Sequence, residues 1–394
     1  MKIAIDCSLV PGPRGGIGQY SYSLVHALSR IDTVNRYSLY VLFPAVNHIL
    51  HPEYKKAELP ETGNFKVIYK TIPVHFQLLR LLWFQGMPGS LREYMLGGLD
   101  AEVVHSHSYC VPRFRDRRKK LVVTVYDVSV LTHPECHTRA NRAFCLRGIK
   151  DAVRYADSII AISEHTKQDL IRYFNAPGEL ITVTHLAAGP DYREVKDPEV
   201  LRAARDKYGL PENYILFVGS LEPRKNVRTL LKAYSSLPER LKREFYLVIA
   251  GGRGWLNSDI PGVVKDLKIS ERVRFAGYID KDDIAAVYSQ AAVFAYPSLY
   301  EGFGLPILEA MSCGTPVVTS DTSSMPEVAG DAAALVSPVD ADGIAAALER
   351  VLESAEVREE MREKGLKRAA LFSWEKCAGE TLDVYRKVVE SGGR

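Results

Sequence analysis

Glu301 and Glu309 stand eight positions apart in "SLYEGFGLPILEAMSCGTP", Ser298 to Pro316, on either side of a Gly-Phe-Gly-Leu-Pro turn. Pro306 suits a first helical turn and Gly314 the residue beyond a helix end. The spacing therefore predicts a helix over about Leu305 to Cys313, after the strand "AVFAYPS". Glu301 falls in the loop before that helix and Glu309 about one turn inside it. Gly302 and Gly304 let the backbone approach a ligand closely, and unpaired N–H groups at the helix start favour a phosphate. A diphosphate resting there leaves two carboxylates to accept hydrogen bonds from hydroxyls on either side. Ribose, diphosphate and sugar follow one another in that order in a nucleotide-sugar. Taken singly, each glutamate reads as an ordinary loop or helix residue; the whole set is what points to a site.

Two further stretches carry candidate chemistry. "GSLEPRKN", Gly219 to Asn226, directly follows the strand-like run "YILFV". It puts Arg224 and Lys225 at the carboxyl end of a strand, where Arg can grip a phosphate bidentately and Lys acts as a point charge. Gly219 opens this turn and joins the candidate donor contacts. "PGPRGGIGQY", Pro11 to Tyr20, contains Gly16 and Gly18 in G-x-G spacing, but position 21 is Ser21 and the third glycine of a dinucleotide fingerprint is missing. No acidic residue closes the next strand "YSLYVLF" to hold a ribose, so a dehydrogenase is disfavoured while a glycine-rich ligand loop stands.

The elements that must position these residues alternate between short apolar runs and longer amphipathic segments, the pattern of parallel α/β sheets. "KIAID", "YSLYVLF", "FKVIYKT", "EVVHSH", "LVVTVYD", "SIIAIS" and "LITVTHL" form a first set of strands. "YILFVGS", "FYLVIAGG", "VRFAGYI", "AVFAYPS" and "PVVTS" form a second. Ser163 is a plausible N-cap for the helix "EHTKQDLIRYF". Between the sets, around residues 188–212, the chain turns polar and rich in Pro, Gly and charge. The expected domains are therefore 1–190 and 191–375. A closing helix over 376–394 would pack back on the first domain. Two doubly wound units of this kind would face each other across a cleft, with ligands outside the carboxyl ends of their strands.

At 394 residues the chain is long enough for two domains, and 46% hydrophobic with 25% charged residues is ordinary for a globular protein. A net charge of +3 is too small to make nucleic acid the principal partner. No leader-like segment follows Met1, and no apolar stretch approaches the roughly 20 residues of a membrane span. Six scattered cysteines lack paired spacing, which fits a reducing cytoplasm. "HPECH", His133 to His137, clusters metal-ligating types but lacks the second pair a zinc site needs.

Together these stretches resemble the retaining GT-B glycosyltransferases of family 4, over nearly the whole chain. "GGIGQYSYSLVHAL", "ADSIIAISEHTKQDL", "YILFVGSLEPRKNVRTLLKAY", "PSLYEGFGLPILEAMSCGTPVVTSD" and "FSWEKCAGETLDVY" carry the resemblance. It implies a GT-B fold of two Rossmann-like α/β domains. It further implies that Glu309 holds the donor ribose and Glu301 contacts the donor sugar's hydroxyls. Arg224 and Lys225 would bind the diphosphate and neutralise the leaving group. Backbone N–H groups of Phe303, Gly304 and Leu305, beside Gly302, would touch sugar or phosphate, and Gly15 and Gly16 would approach the diphosphate from the first domain. One departure matters: where many relatives end the strand matching "LVVTVYD" in a histidine, this chain has Tyr126 followed by Asp127, and Asp127 is a candidate for that polar contact. His105 and His107 on the neighbouring strand are either cleft residues or histidines satisfied by hydrogen bonds at a strand end.

The implied reaction is transfer of a hexose from a nucleotide diphosphate-sugar to an acceptor hydroxyl, with retention at the anomeric carbon. No cofactor is expected, and no metal, because Arg224 and Lys225 supply the positive charge and no Asp-x-Asp pair is read after a strand. A GT-B nucleotide-sugar epimerase and a non-catalytic sugar-nucleotide-binding subunit are the alternatives. The resemblance runs to bacterial mannosyl- and rhamnosyltransferases of surface-polysaccharide assembly, which makes GDP-mannose the expected donor and a saccharide or lipid-linked saccharide the expected acceptor. "RFRDRRKK", Arg113 to Lys120, carries six basic residues and one acid, near the apolar "LLRLLWFQG". It is either a solvated loop or a peripheral contact with an anionic membrane at the cytoplasmic face. The sequence specifies no oligomeric state.

Overall fold

Runs such as "KIAID" and "YILFV" are apolar without a polar face, the mark of strands covered by helices on both sides. The chain is described by a computed structural model that covers residues 1–11, 16–44, 58–72, 100–112, 114, 116, 118–252 and 260–391. It divides into two units, the first Met1–Leu131, Arg139–Leu186 and Trp374–Arg394, the second Thr132–Thr138 and Ala187–Ser373.

The strands of the first unit are β1 (Lys2–Asp6), β2 (Arg36–Pro44), β3 (Phe65–Ile72), β4 (Val103–Ser106), β5 (Lys120–Val125), β6 (Ser158–Ala161) and β7 (Ile181–Val183). They lie in the order β3-β2-β1-β4-β5-β6-β7, all parallel. The order reverses between β1 and β4, where Ile3 pairs with Tyr37 on one side and Val103 on the other. Helix Gly16–Ile31 buries Tyr20, Leu24, Val25, Ala27 and Leu28, a stripe at helical spacing against the sheet. Helix Glu164–Phe174 starts where Ser163 accepts a hydrogen bond from Thr166 N, the cap read from the sequence, and ends at Asn175 in the left-handed region. The closing helix Trp374–Glu390 lies on this unit, burying Trp374, Cys377, Ala378, Leu382, Tyr385 and Val388.

The second unit repeats the plan with β8 (Tyr214–Val218), β9 (Tyr246–Ala250), β10 (Val273–Gly277), β11 (Val293–Tyr296), β12 (Val317–Ser320) and β13 (Ala333–Val336). Their order is β10-β9-β8-β11-β12-β13, again parallel, and it reverses between β8 and β11. Strand β13 is absent from the sequence reading, because "AALV" is short and only half-buried. Inside the polar stretch read as a break, residues Pro198–Tyr208 form a helix. Its ends are written in the sequence: Asp197 caps Glu199 N at the start, and Gly209 closes it at φ 59°. Among the described residues no helix is long and apolar enough to cross a membrane.

Candidate active site

In open parallel sheets, ligands bind outside the carboxyl ends of the strands where the order reverses. In the second unit that point lies between the turn after β8 and the loop after β11, and these are the "GSLEPRKN" and "SLYEGFGLP" stretches. The two are tied together through the backbone. Leu299 N donates to Arg224 O at 2.9 Å, and Asn226 Nδ2 donates to the carbonyls of Pro297 (3.0 Å) and Pro338 (2.6 Å). Asn226 does this from the left-handed region at φ 57°, which an asparagine tolerates better than most residues.

Glu301 is the centre of the cluster. Its Oε1 accepts from Lys225 Nζ at 2.8 Å and from the Tyr296 hydroxyl at 3.1 Å, and its Oε2 pairs with Arg224 Nη1 at 2.7 Å. Arg224 also donates from Nη1 to Tyr300 O at 2.6 Å and from Nη2 to Glu222 at 2.8 Å. Lys225 Nζ donates to the Tyr296 hydroxyl as well. Burial alone would raise the Glu301 carboxyl, but the adjacent Arg224 and Lys225 charges outweigh it and hold it at about 2. Lys225 is lowered as well, because burial pushes its ammonium down more than Glu301 lifts it. The carboxylate is ionised at any working pH.

Glu309 lies on the helix Leu305–Ser312, which Gly304 opens at φ 101° and Pro306 pre-sets in its first turn. The helix matches the predicted span, with Cys313 as its closing residue. Burial raises the Glu309 carboxyl to about 7, against hydrogen bonds from Tyr192 and Tyr288 and the charge of Lys225. The Tyr288 hydroxyl donates to Glu309 Oε2 at 3.3 Å. The two glutamates read as a pair are thus held in opposite electrostatic states.

Several residues that shape this site carry no signal in the sequence reading. Ser323 Oγ accepts from Glu301 N at 3.0 Å, and Ser324 Oγ donates to the carbonyls of Glu301 and Phe303, both at 2.8 Å. They brace the Gly302–Gly304 loop, which Phe303 also anchors against the Phe372 ring at 6.0 Å. Tyr192, Tyr288, Tyr296 and Glu222 complete the set. Only the tyrosine closing "AVFAY" at a strand end was visible as a hint. The glycines are placed by close approach: a Cβ on Gly251, at φ 130°, would lie 2.1 Å from Gly219 O.

The expectations for the first unit resolve differently. His105 and His107 are fully buried, not exposed at a strand mouth. His105 Nδ1 meets the Tyr385 hydroxyl at 2.6 Å and His105 Nε2 meets Thr124 Oγ1 at 2.8 Å. His107 Nδ1 meets Ser21 Oγ at 2.9 Å, and the Tyr126 hydroxyl donates to His107 O at 3.0 Å. Asp127 Oδ1 accepts from Ser129 N and Oγ at 2.9 and 2.7 Å, opening a short turn of helix, Ser129–Thr132. Gly16 begins the helix Gly16–Ile31; Gly15, the apolar "LLRLLWFQG", and Arg113, Arg115 and Arg117 of the basic stretch lie outside the described residues. Of that stretch, Arg118 is clamped by Asp116 and Lys119 stands over the Phe114 ring.

Two Asp-x-Asp pairs do follow strands, contrary to the sequence reading. Asp280 and Asp282 come after β10, and Asp280 is taken by Lys207 at 2.7 Å. Asp340 and Asp342 come after β13, and Asp340 caps Gly343 N at 3.0 Å. In the "HPECH" stretch the Cys136 thiol faces Glu135 and the His133 ring packs on Tyr300 at 5.4 Å. Among the described residues no three His, Cys, Asp or Glu side chains come together as metal ligands.

Residues 202–368 match the family described as glycosyl transferases group 1, and residues 14–188 match glycosyltransferase family 4. The O-antigen chain mannosyltransferase B of Escherichia coli is 33% identical over 388 residues, covering 98% of this chain and 100% of that one. The chain belongs to glycosyltransferase family 4. The serotype-specific mannosyltransferase WbdA of Escherichia coli is 33% identical over 244 residues, 60% of this glycosyltransferase but 29% of WbdA. Among solved structures, sucrose-phosphate synthase from Thermosynechococcus elongatus superposes with TM-score 0.78 at 22% identity, over 99% of this chain and 100% of that one. Anabaena Alr3699/HepE in complex with UDP-glucose does so at 0.72 and 18%, over 98% and 100%. At such identities these two speak for the fold, which is GT-B: two Rossmann-like parallel-sheet units in one glycosyltransferase.

Proposed function

We propose that this glycosyltransferase moves mannose from GDP-mannose to a hydroxyl of a saccharide or lipid-linked saccharide in surface-polysaccharide synthesis, with retention and without a metal. The observation that carries the reading is the Glu301 carboxylate shared between Arg224 and Lys225 at the reversal point of the second sheet. The mannosyl specificity draws on the Escherichia coli O-antigen enzyme matched over its full length. In this reading Arg224 and Lys225 take the diphosphate, and Glu301 accepts hydrogen bonds from hexose hydroxyls. Glu309 accepts from the ribose. Gly302, Gly304 and Gly219 let the backbone close on sugar and phosphate, with the amides of Phe303 and Leu305 among the donors.

The bond from the anomeric carbon to the phosphate oxygen breaks while the acceptor oxygen attacks the same face. The acceptor's proton passes to the departing phosphate, whose negative charge the two cations stabilise. Arg224 and Lys225 stand at the leaving group where a divalent metal would otherwise sit, and this supports turnover without one. The test combines a thermal-shift panel of GDP, UDP, dTDP and ADP, free and as sugar conjugates, with a transfer assay read by NMR. Ligand binding to the native state raises its melting temperature. A shift with GDP-mannose, an axial-retained product anomer and turnover unchanged by EDTA are expected. A shift confined to another nucleotide overturns the donor assignment, and an inverted anomer or loss of turnover in EDTA overturns the mechanism.

A further inference from the structure

Glu222 belongs to none of the roles above, yet it is the least exposed charged side chain of the cluster. Side-chain exposure is 3% for Glu222, 9% for Glu301, 11% for Lys225 and 14% for Arg224. Its Oε1 takes Arg224 Nη2 at 2.8 Å, while its Oε2 is buried with no hydrogen-bond partner among the described residues. The backbone fixes it there. Glu222 N donates to Ser220 O at 2.8 Å, and Lys225 N donates to Glu222 O at 3.0 Å, so Glu222 heads the single turn that carries both cations.

Among the described residues, two carboxylates against two cations leave these four side chains with no net formal charge. A bare diphosphate arriving there finds no net positive field to draw it in. A sugar changes the balance. Hydroxyls donating to Glu301 replace Lys225 Nζ and Arg224 Nη1 on its oxygens, and both cations turn to the phosphates. Glu222 keeps its hold on the other edge of the guanidinium throughout. Burying a carboxylate with one oxygen unpaired costs stability, so packing alone gives no reason for an acid at this position.

We propose that Glu222 is a specificity-determining residue. With Glu301 it keeps both edges of Arg224 occupied until a sugar draws Glu301 away, so that the site prefers a sugar diphosphate to a bare one. This rests on reading the cluster as the diphosphate site. Isothermal titration with inorganic pyrophosphate, and with the sugar nucleotide that the thermal panel selects, tests it. Glu222→Gln keeps the shape and one acceptor for Arg224. It should bind pyrophosphate about tenfold more tightly than the wild type, because one opposing charge a few ångströms away is gone. Its affinity for the sugar nucleotide should change by less than about threefold, since that ligand already frees the cations. The gain should vanish when Glu222→Gln is added to Arg224→Gln. Equal or weaker pyrophosphate binding by Glu222→Gln overturns the proposal, as does a gain that survives without Arg224. The wild type alone gives a second measure: its nucleoside diphosphate should bind more weakly than the sugar conjugate, and the reverse order overturns the proposal. Failure of every sugar nucleotide to bind wild type and variants alike would instead remove the donor-site reading, and this inference with it.

Discussion

At the scale of single residues, the site separates two carboxyl groups of the same kind by their surroundings. Glu301 sits at about 2 between two cations, and Glu309 at about 7 in a pocket of tyrosines. Only Glu309 therefore titrates where enzymes work. If Glu309 must be ionised to accept ribose hydroxyls, donor affinity is complete above about pH 7 and falls as pH drops through it. The limit is about tenfold per pH unit. Among the described residues the groups facing it are Tyr192, Tyr288, Lys225 and Cys313; burial raises Tyr192, Tyr288 and Cys313 and lowers Lys225. Titrating a sugar nucleotide between pH 5.5 and 8.5, roughly spanning that value, should show this acid limb, and Glu309→Gln should bind weakly without one. A sugar diphosphate suits the test because it lacks the phosphomonoester group that titrates near 6. An acid limb that persists in Glu309→Gln would assign the titration to another group.

At the scale of elements, the site depends on how closely the ends of neighbouring strands approach. Gly219 N donates to Ala250 O at 3.0 Å, and Gly251 N donates to Gly277 O at 2.7 Å, so the turns after β8, β9 and β10 are laced together. Gly251→Ala puts a methyl into Gly219 O and demands a φ that alanine rarely adopts. We expect a loss of about 3 kcal/mol or more of stability, with donor binding weakened because the turn bearing Arg224 and Lys225 must shift. Denaturant unfolding and donor titration of the variant check both parts. An unchanged midpoint would mean that the turns give way freely. Serine hydroxyls do the same bracing on the other side, where Ser323 and Ser324 hold the loop that carries Glu301.

At the scale of the whole molecule, each unit is held by its own polar core as well as its sheet. In the first, Tyr385 of the closing helix reaches His105, and Arg30 pairs with Glu375 at 2.8 Å on the surface. Burial lowers both histidines, His105 well below 6.5 and His107 to about 3. A lowered histidine stabilises the fold fully above its unfolded value near 6.5, and that stability drains as pH falls towards the folded value. Each histidine contributes a slope of up to about 1.4 kcal/mol per pH unit. Asp6 and Glu309, both raised by burial, act with the opposite sign, so the difference between variants is the useful quantity. Between about pH 6.5 and 5, the wild type should lose stability more steeply than His107→Gln, by nearly one histidine's slope. Parallel slopes would show that His107 takes up no proton on unfolding.

What the sequence determined by itself was local and periodic. Uninterrupted apolar runs made the parallel strands, Ser163 marked a helix start, and Pro306 with Gly314 bounded the helix that carries Glu309. Strand β13 and the helix Pro198–Tyr208 escaped that reading because a short or mostly exposed segment has little apolar pattern to show. The tertiary structure decided which charges meet. Lys225 and Glu301 are 76 positions apart and touch only because β8 and β11 are neighbours in the sheet. That adjacency, with the burial it brings, makes Glu222 and Glu301 counter-ions and sets the two glutamates to different protonation. It also turns His105 and His107 inward as neutral partners of a tyrosine and a serine. Pairing across the sheet and exclusion of water are properties of three dimensions, and no spacing along the chain encodes them.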